Sequence, residues 1–159
     1  MPNLKRLEFD DVREGDGFEA RRARLGLQTG VERVGASYWE VPPGQAPYPY
    51  HFHLTEDEIV IVLEGKLSLR TPDGWRDLEE GEVLGFPVGE AGAHQLVNRG
   101  ETTARFLAVS NSGAPEAVVQ PDANKIGVFE RAPGGGGIRE WYLRGDAVSY
   151  LEGVPPPES

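Results

Sequence analysis

Short runs rich in β-branched and aromatic residues alternate with glycine and proline along most of the chain. Runs of this length, bounded by turn residues, read as strands, and their number points to an all-β sandwich or barrel. The segments that read as strands are 18–25, 34–41, 58–63, 66–70, 83–87, 94–98, 103–110 and 117–120. Between them, Glu64-Gly65 and Thr71-Pro72-Asp73-Gly74 are the clearest turns, because glycine supplies positive φ and Asp-Gly suits a tight hairpin. Residues 58–77 therefore read as a β-meander. The run Ile59-Val60-Ile61-Val62-Leu63 is apolar at every position, which predicts a strand packed between two layers rather than one with a wet side. No pair of adjacent amphipathic helices is present in the pattern, so a helix-turn-helix reading head is not expected.

Composition narrows the picture. A chain of 159 residues with 38% hydrophobic content suits one domain, 1–159, with barrel strands over about 33–112 and a C-terminal extension over about 113–159. After Ser112 the texture shifts to Gly-Ala-Pro, a glycine run and a proline-rich end, and the extension is expected to wrap the barrel. Gly134 to Gly137 lacks the Lys-Ser/Thr of a phosphate loop and does not join a strand to a helix, so it reads as a plain loop. There is no cysteine, which removes disulfides, thiolate metal sites and cysteine nucleophiles together and leaves His, Asp and Glu as metal ligands.

The net charge of -10 opposes general binding to nucleic acid or anionic lipid. One basic run, Arg21-Arg22-Ala23-Arg24, lies in a strand-like segment with acidic neighbours and reads as a solvated strand. The start, MPNLKRLEFDDVREGDG, lacks the apolar core of a secretory signal, and no stretch approaches the ~20 apolar residues of a membrane span, so a cytoplasmic location is the expectation.

All three histidines lie in two segments, around 51–53 and at 94. Side chains two apart on a strand point the same way, so His51 and His53 can present two imidazoles to one point while Phe52 faces away. Glu58 follows across Leu54-Thr55-Glu56-Asp57 and opens the apolar run, where an unpaired carboxylate would be costly and a metal ion would remove the cost. His94 comes from a distant strand that a barrel can bring across to face the others. Glu56 and Asp57 read as solvated turn residues.

These positions resemble the two motifs of the cupin superfamily, in particular the single-domain, conserved-barrel type. Gly44 is followed by six residues, His51-Phe52-His53, four residues, Glu58, six residues and Gly65. That departs from the family's first motif by one extra residue after the glycine. Gly81 is followed by five residues, Pro87-Val88-Gly89, four residues, His94, three residues and Asn98, with a two-residue excess in the loop Glu90-Ala91-Gly92-Ala93. Because the additions fall in turns, the ligand positions on the strands are kept. The resemblance implies a double-stranded β-helix, or jelly roll, with one divalent metal inside the barrel on His51, His53, Glu58 and His94, and often a homodimer.

Three imidazoles and a carboxylate leave two octahedral positions for water or substrate, and suit Mn, Fe, Ni, Co or Zn without choosing among them. The favoured reading is an enzyme of dioxygenase or isomerase type, in which a small oxygen-rich substrate chelates the ion. Tyr48, Tyr50 and Gln95, with Trp39 nearby, are the candidates for positioning or proton transfer, against a plain packing role at the barrel mouth. The alternative is a non-catalytic module that holds a small ligand through the same metal. An apo barrel whose histidines merely pack is disfavoured by the cost of burying unpaired polar rings.

Overall fold

The computed structural model of this chain describes residues 1–111, 115–130 and 137–155. Its first strands are β1 (Asp11–Arg13), β2 (Ala20–Arg24) and, after a helix α1 (Leu25–Thr29), β3 (Gly35–Val41). Next come β4 (Phe52–His53), β5 (Glu58–Glu64), β6 (Leu67–Thr71), β7 (Gly74–Asp77) and β8 (Val83–Phe86). The last are β9 (Gln95–Asn98), β10 (Ala104–Ser110), β11 (Glu116–Gln120), β12 (Lys125–Phe129) and β13 (Arg139–Leu143).

Every strand pairing is antiparallel, and two layers result. One is a six-stranded sheet in the order β1-β2-β3-β10-β5-β8. The other consists of a three-stranded sheet, β7-β6-β9, and a four-stranded sheet, β13-β12-β11-β4. An isolated bridge between His51 and His94 joins these two smaller sheets, through His51 N–H to His94 O at 3.1 Å and His94 N–H to His51 O at 2.8 Å. This is a jelly-roll barrel.

Alternation along each strand sends one face inward. Trp39, Val41, Val60, Val62, Leu67, Leu96 and Phe106 make the main core, all less than a twentieth exposed. A smaller cluster of Tyr50, Phe52, Ala93 and Val119 lies under the second layer. Burying side chains of this size contributes roughly 1.5–3 kcal/mol each, so the two layers are held chiefly by this interior.

Four expectations change. The segment 18–25 does not end as a strand: from Leu25 the chain turns into α1, which stops at Gly30, whose φ of 75° an L side chain rarely adopts. β5 is not covered on both sides, since Val60 and Val62 are buried whereas Ile59 is 46% and Leu63 36% exposed. An unbroken apolar run cannot distinguish two covered faces from an inner face backed by an apolar outer one. The basic run is not uniformly solvated either. Arg21 and Arg24 are exposed, but Arg22 shares the partly buried inward face and pairs in register with Trp39. Glu56, read as a solvated turn residue, is only 3% exposed, while its neighbour Asp57 is exposed.

β11, β12 and β13 continue the four-stranded sheet, with β11 pairing β4 so that Val118 lies opposite His53. Of the glycine run at 134–137, residues 134–136 lie outside the described residues. Among the described residues, no helix is long and apolar enough to cross a membrane.

Candidate metal centre

The bridge that joins the two smaller sheets also places the first two histidines. His51 and His94 are directly paired across it, and their rings come to 4.6 Å between centroids. Two residues on from His51, His53 emerges on the same side of the chain, with His51 Nε2 and His53 Nε2 3.2 Å apart. Glu58, the first residue of β5, comes from the opposite layer. Its Oε2 lies 3.4 Å from His53 Nε2 and 3.4 Å from His94 Nε2. All four predicted ligand residues therefore converge, three Nε2 atoms and one carboxylate oxygen, between the layers.

Each ring is oriented from behind. His51 Nδ1 is 3.0 Å from Pro49 O and His94 Nδ1 is 2.9 Å from Gly92 O, a carbonyl two residues earlier in both cases. A carbonyl can only accept, so these contacts put the proton on Nδ1 and leave Nε2 for the centre. The loop before His94 depends on Gly92, because a Cβ there would lie 1.8 Å from Pro87 O. Its 3-10 turn, Glu90–Gly92, aims the carbonyl at the ring. Asn98 of the second motif has a different duty. Its amide donates to Val41 O and Thr102 O, both at 2.8 Å, and accepts from Gly100 N–H, which staples the turn after β9.

His53 lacks a carbonyl behind it. The nearest partner of its Nδ1 is Glu116 Oε1 of β11, at 3.5 Å, with Glu116 only 1% exposed. Glu116 Oε2 accepts from Thr55 Oγ1 at 2.5 Å. Glu56, whose Oε2 accepts from Ser110 Oγ at 3.1 Å, completes a second group in which His53, Glu56 and Glu116 each bring a ligand atom within 4.8 Å of the others. Neither acid was expected at the site. Glu116 follows both motifs and Glu56 reads as an ordinary turn residue, so no local pattern marks them.

The charges follow the surroundings. Burial, with the neighbouring His94 and His53, pushes His51 down to about 3 and keeps it neutral. Burial also acts to lower His53, but the carboxylates of Glu116 and Glu58 outweigh it and raise the ring to about 9. For Glu58, burial alone would push the carboxyl up. Its contacts with His53 and His94 outweigh that and hold it well below the usual carboxylate range.

The donor set fits a divalent ion by its own chemistry. Two neutral or neutralisable imidazoles and an ionised carboxylate face one another, and His94 Nε2 is buried with no hydrogen bond among the described residues. Such an atom is costly to leave unmatched, and a metal ion would match it. His51, His53 and Glu58 by themselves satisfy the spacing of a metal-binding group, with ligand atoms within 4.8 Å of one another.

Of the other candidates, Tyr48 reaches the cluster: its ring lies edge-on to His51 at 4.7 Å and to His94 at 5.7 Å. Its hydroxyl is buried and makes no hydrogen bond among the described residues. Trp39 lies edge-on to Tyr48 at 5.9 Å and stacks on Phe106. Tyr50 instead packs in the smaller apolar cluster, under the Arg70 guanidinium at 4.1 Å. The Gln95 amide donates to the Tyr48 carbonyl at 3.4 Å, a contact to the backbone rather than to the histidines.

Residues 37–110 match the family model of the cupin domain. Among solved structures, the chain is similar to a candidate sugar phosphate isomerase of Acidithiobacillus ferrooxidans, at 26% identity and TM-score 0.74, covering 84% of this chain and 81% of that one. A cupin-superfamily sugar phosphate isomerase of Silicibacter pomeroyi aligns at 24% identity and TM-score 0.78, over 94% and 96% of the two chains, and so shares the fold. The polyketide cyclase of Streptomyces resistomycificus aligns at 28% identity and TM-score 0.61, over 73% and 82%. No curated protein matches the chain. Motifs, barrel and family match agree: residues 37–110 match the cupin domain model, and the chain has the cupin fold.

Proposed function

We propose that His51, His53, Glu58 and His94 hold one divalent transition metal ion, of the series Mn, Fe, Ni, Co and Zn, and that the protein is an enzyme acting on a small oxygen-rich substrate. The observation that carries this reading is the convergence of three Nε2 atoms on the Glu58 carboxylate, one of them buried without a hydrogen bond. When bound, the metal would supply Lewis-acid polarisation of a substrate oxygen. Similarity to the Acidithiobacillus protein supports an isomerase over a dioxygenase.

The protein's own groups have definable tasks. Pro49 O and Gly92 O keep His51 and His94 in the tautomer that faces inward. Phe86 stacks on the His94 ring at 3.9 Å and excludes water from that side. Burial raises the Tyr48 hydroxyl well above its ordinary value, so it keeps its proton at neutral pH and serves as a donor. Tyr50 and Gln95, held away from the cluster, are assigned roles in packing its surround.

The test is a panel of sugar phosphates, hydroxy ketones, diketones and catechols offered to protein reconstituted separately with Fe, Mn, Ni, Co and Zn, following isomerisation and oxygen uptake. Turnover that depends on the metal is expected. Saturable binding without turnover across the panel would assign the protein to the non-catalytic, ligand-holding class instead. A homodimer is part of the same proposal, and it is supported by the outward apolar residues Ile59, Leu63 and Val83 of neighbouring β5 and β8. Sedimentation of a wild-type monomer at micromolar concentration would remove it.

A further inference from the structure

A guanidinium faces the interior of this acidic protein near the histidine cluster. Arg22 of β2 lies on the inward face, opposite Asp11 of β1 on one side and Trp39 of β3 on the other. Its Cζ sits 5.1 Å from the Trp39 ring and its Nε donates to Ser37 Oγ at 2.9 Å. Among the described residues, Nη1 and Nη2 make no hydrogen bond, so the forked end of the side chain is uncommitted. Arg13 flanks the same ring at 5.2 Å, but its own guanidinium is occupied by Pro47 O at 2.7 Å and Asp11 Oδ2 at 3.3 Å.

Tyr48 stands between this basic end and the histidines. Its ring touches Trp39 on one side and His51 and His94 on the other. Its buried hydroxyl, without a hydrogen bond, lies within electrostatic reach of Glu58, Arg13 and Arg22 together. Two groups that want an oxygen partner, one charged and one neutral, are thus set beside the proposed metal site. Burial holds Arg22 down to about 10, and the guanidinium is still charged at neutral pH.

The geometry points to Arg22 and the Tyr48 hydroxyl as an anion subsite beside the histidine cluster, taking the carboxylate or phosphate oxygens of a small substrate whose remaining oxygens reach that cluster. A guanidinium fork matches either oxyanion, and a charge-assisted bond in a partly buried setting is the strong kind. The inference rests on the proposed metal reading for the far end of the ligand, but not for the anion itself.

Calorimetric titration at neutral pH tests it, with lactate as the carboxylate probe, dihydroxyacetone phosphate as the phosphate probe and dihydroxyacetone as the uncharged control. Metal-loaded wild type is expected to prefer at least one anion over the control by roughly tenfold or more, the scale of one charge-assisted hydrogen bond. Arg22→Gln should remove that preference and leave dihydroxyacetone binding and metal content unchanged. Arg22→Lys should retain part of it, and Tyr48→Phe should weaken the anion severalfold. Whichever anion is retained by wild type and lost by Arg22→Gln identifies the substrate class. Equal anion binding by wild type and Arg22→Gln, an equal loss for charged and uncharged probes, or no anion preference in wild type would each overturn the inference. The same titrations on metal-stripped protein separate the two readings. A wild type that retains no metal sinks the metal centre, whereas the anion preference of the stripped protein, present or absent, still decides the role of Arg22.

Discussion

His51 and His94 rest against their own backbone, each with Nδ1 on a carbonyl two residues earlier, whereas His53 leans on the carboxylate of Glu116 from a strand far along the chain. The first arrangement is local. The carbonyl partners of both rings lie within two residues of them, on the extended segment and the Gly92 turn. The second is tertiary, and it exists only when β11 has paired with β4. The two also differ electronically, since a carboxylate behind an imidazole raises its basicity more than a carbonyl does. One wall of the site is therefore set by local conformation and the other can be tuned from outside the motifs.

Removing a ligand from the local wall should have the largest effect. His51→Ala or His94→Ala is expected to take metal content from stoichiometric to background while the barrel still folds, as read by elemental analysis and circular dichroism. Undiminished metal in both variants would remove the ligand assignment.

Acidification should act next, through His53 of the tertiary wall. His53 stands at about 9 in the metal-free protein, so below that pH it carries a proton that the metal must displace, whereas His51 at about 3 is already neutral. Apparent metal affinity should thus approach a tenfold fall per pH unit below 9, roughly fiftyfold between pH 9 and pH 7, with close to one proton released on binding. Titrations in buffers of different ionisation enthalpy measure that proton. No proton release at pH 7 would contradict the charge state given to His53.

Cutting the tertiary support itself is expected to cost less than a ligand. Glu116→Ala should weaken metal binding about 10–100-fold, the usual range for a partner behind a ligating histidine, with Glu116→Gln retaining part of the affinity. Chelator competition reads both, and wild-type affinity in Glu116→Ala would show that His53 orients itself. The smallest effect belongs to Thr55→Ala, which frees Glu116 Oε2 of one hydrogen bond, worth about 1 kcal/mol or roughly fivefold if transmitted in full.

Much of the frame was legible beforehand because it is local. Gly65 and the Asp73-Gly74 hairpin punctuate the meander where the sequence marks them, and β2, β3, β5, β6, β8, β9, β10 and β11 fall on the eight segments expected to be strands. The pair His51 and His53 follows from the two-residue period of a strand alone. What failed did so for want of a partner. Arg22 and Arg21 are chemically alike, and only the pairing with Trp39 decides which one turns inward. Ile59 and Val60 are equally apolar, yet one is covered and the other is not, because a second layer lies on one side of β5. Glu56 and Asp57 differ by a methylene, and Ser110 from β10 takes up the first.

The amino-acid sequence by itself determined the β-rich element order, the grouping of three histidines with Glu58, and the loops that absorb extra residues, because strand period and turn preference act over a few neighbours. Tertiary structure alone decided which residues stand behind those ligands and beside them. Glu116 is brought beside His53 by the pairing of β11 with β4, and Arg22 is turned inward by the pairing of β2 with β3. Contacts of that range depend on how the layers close, and no local pattern in the chain records it.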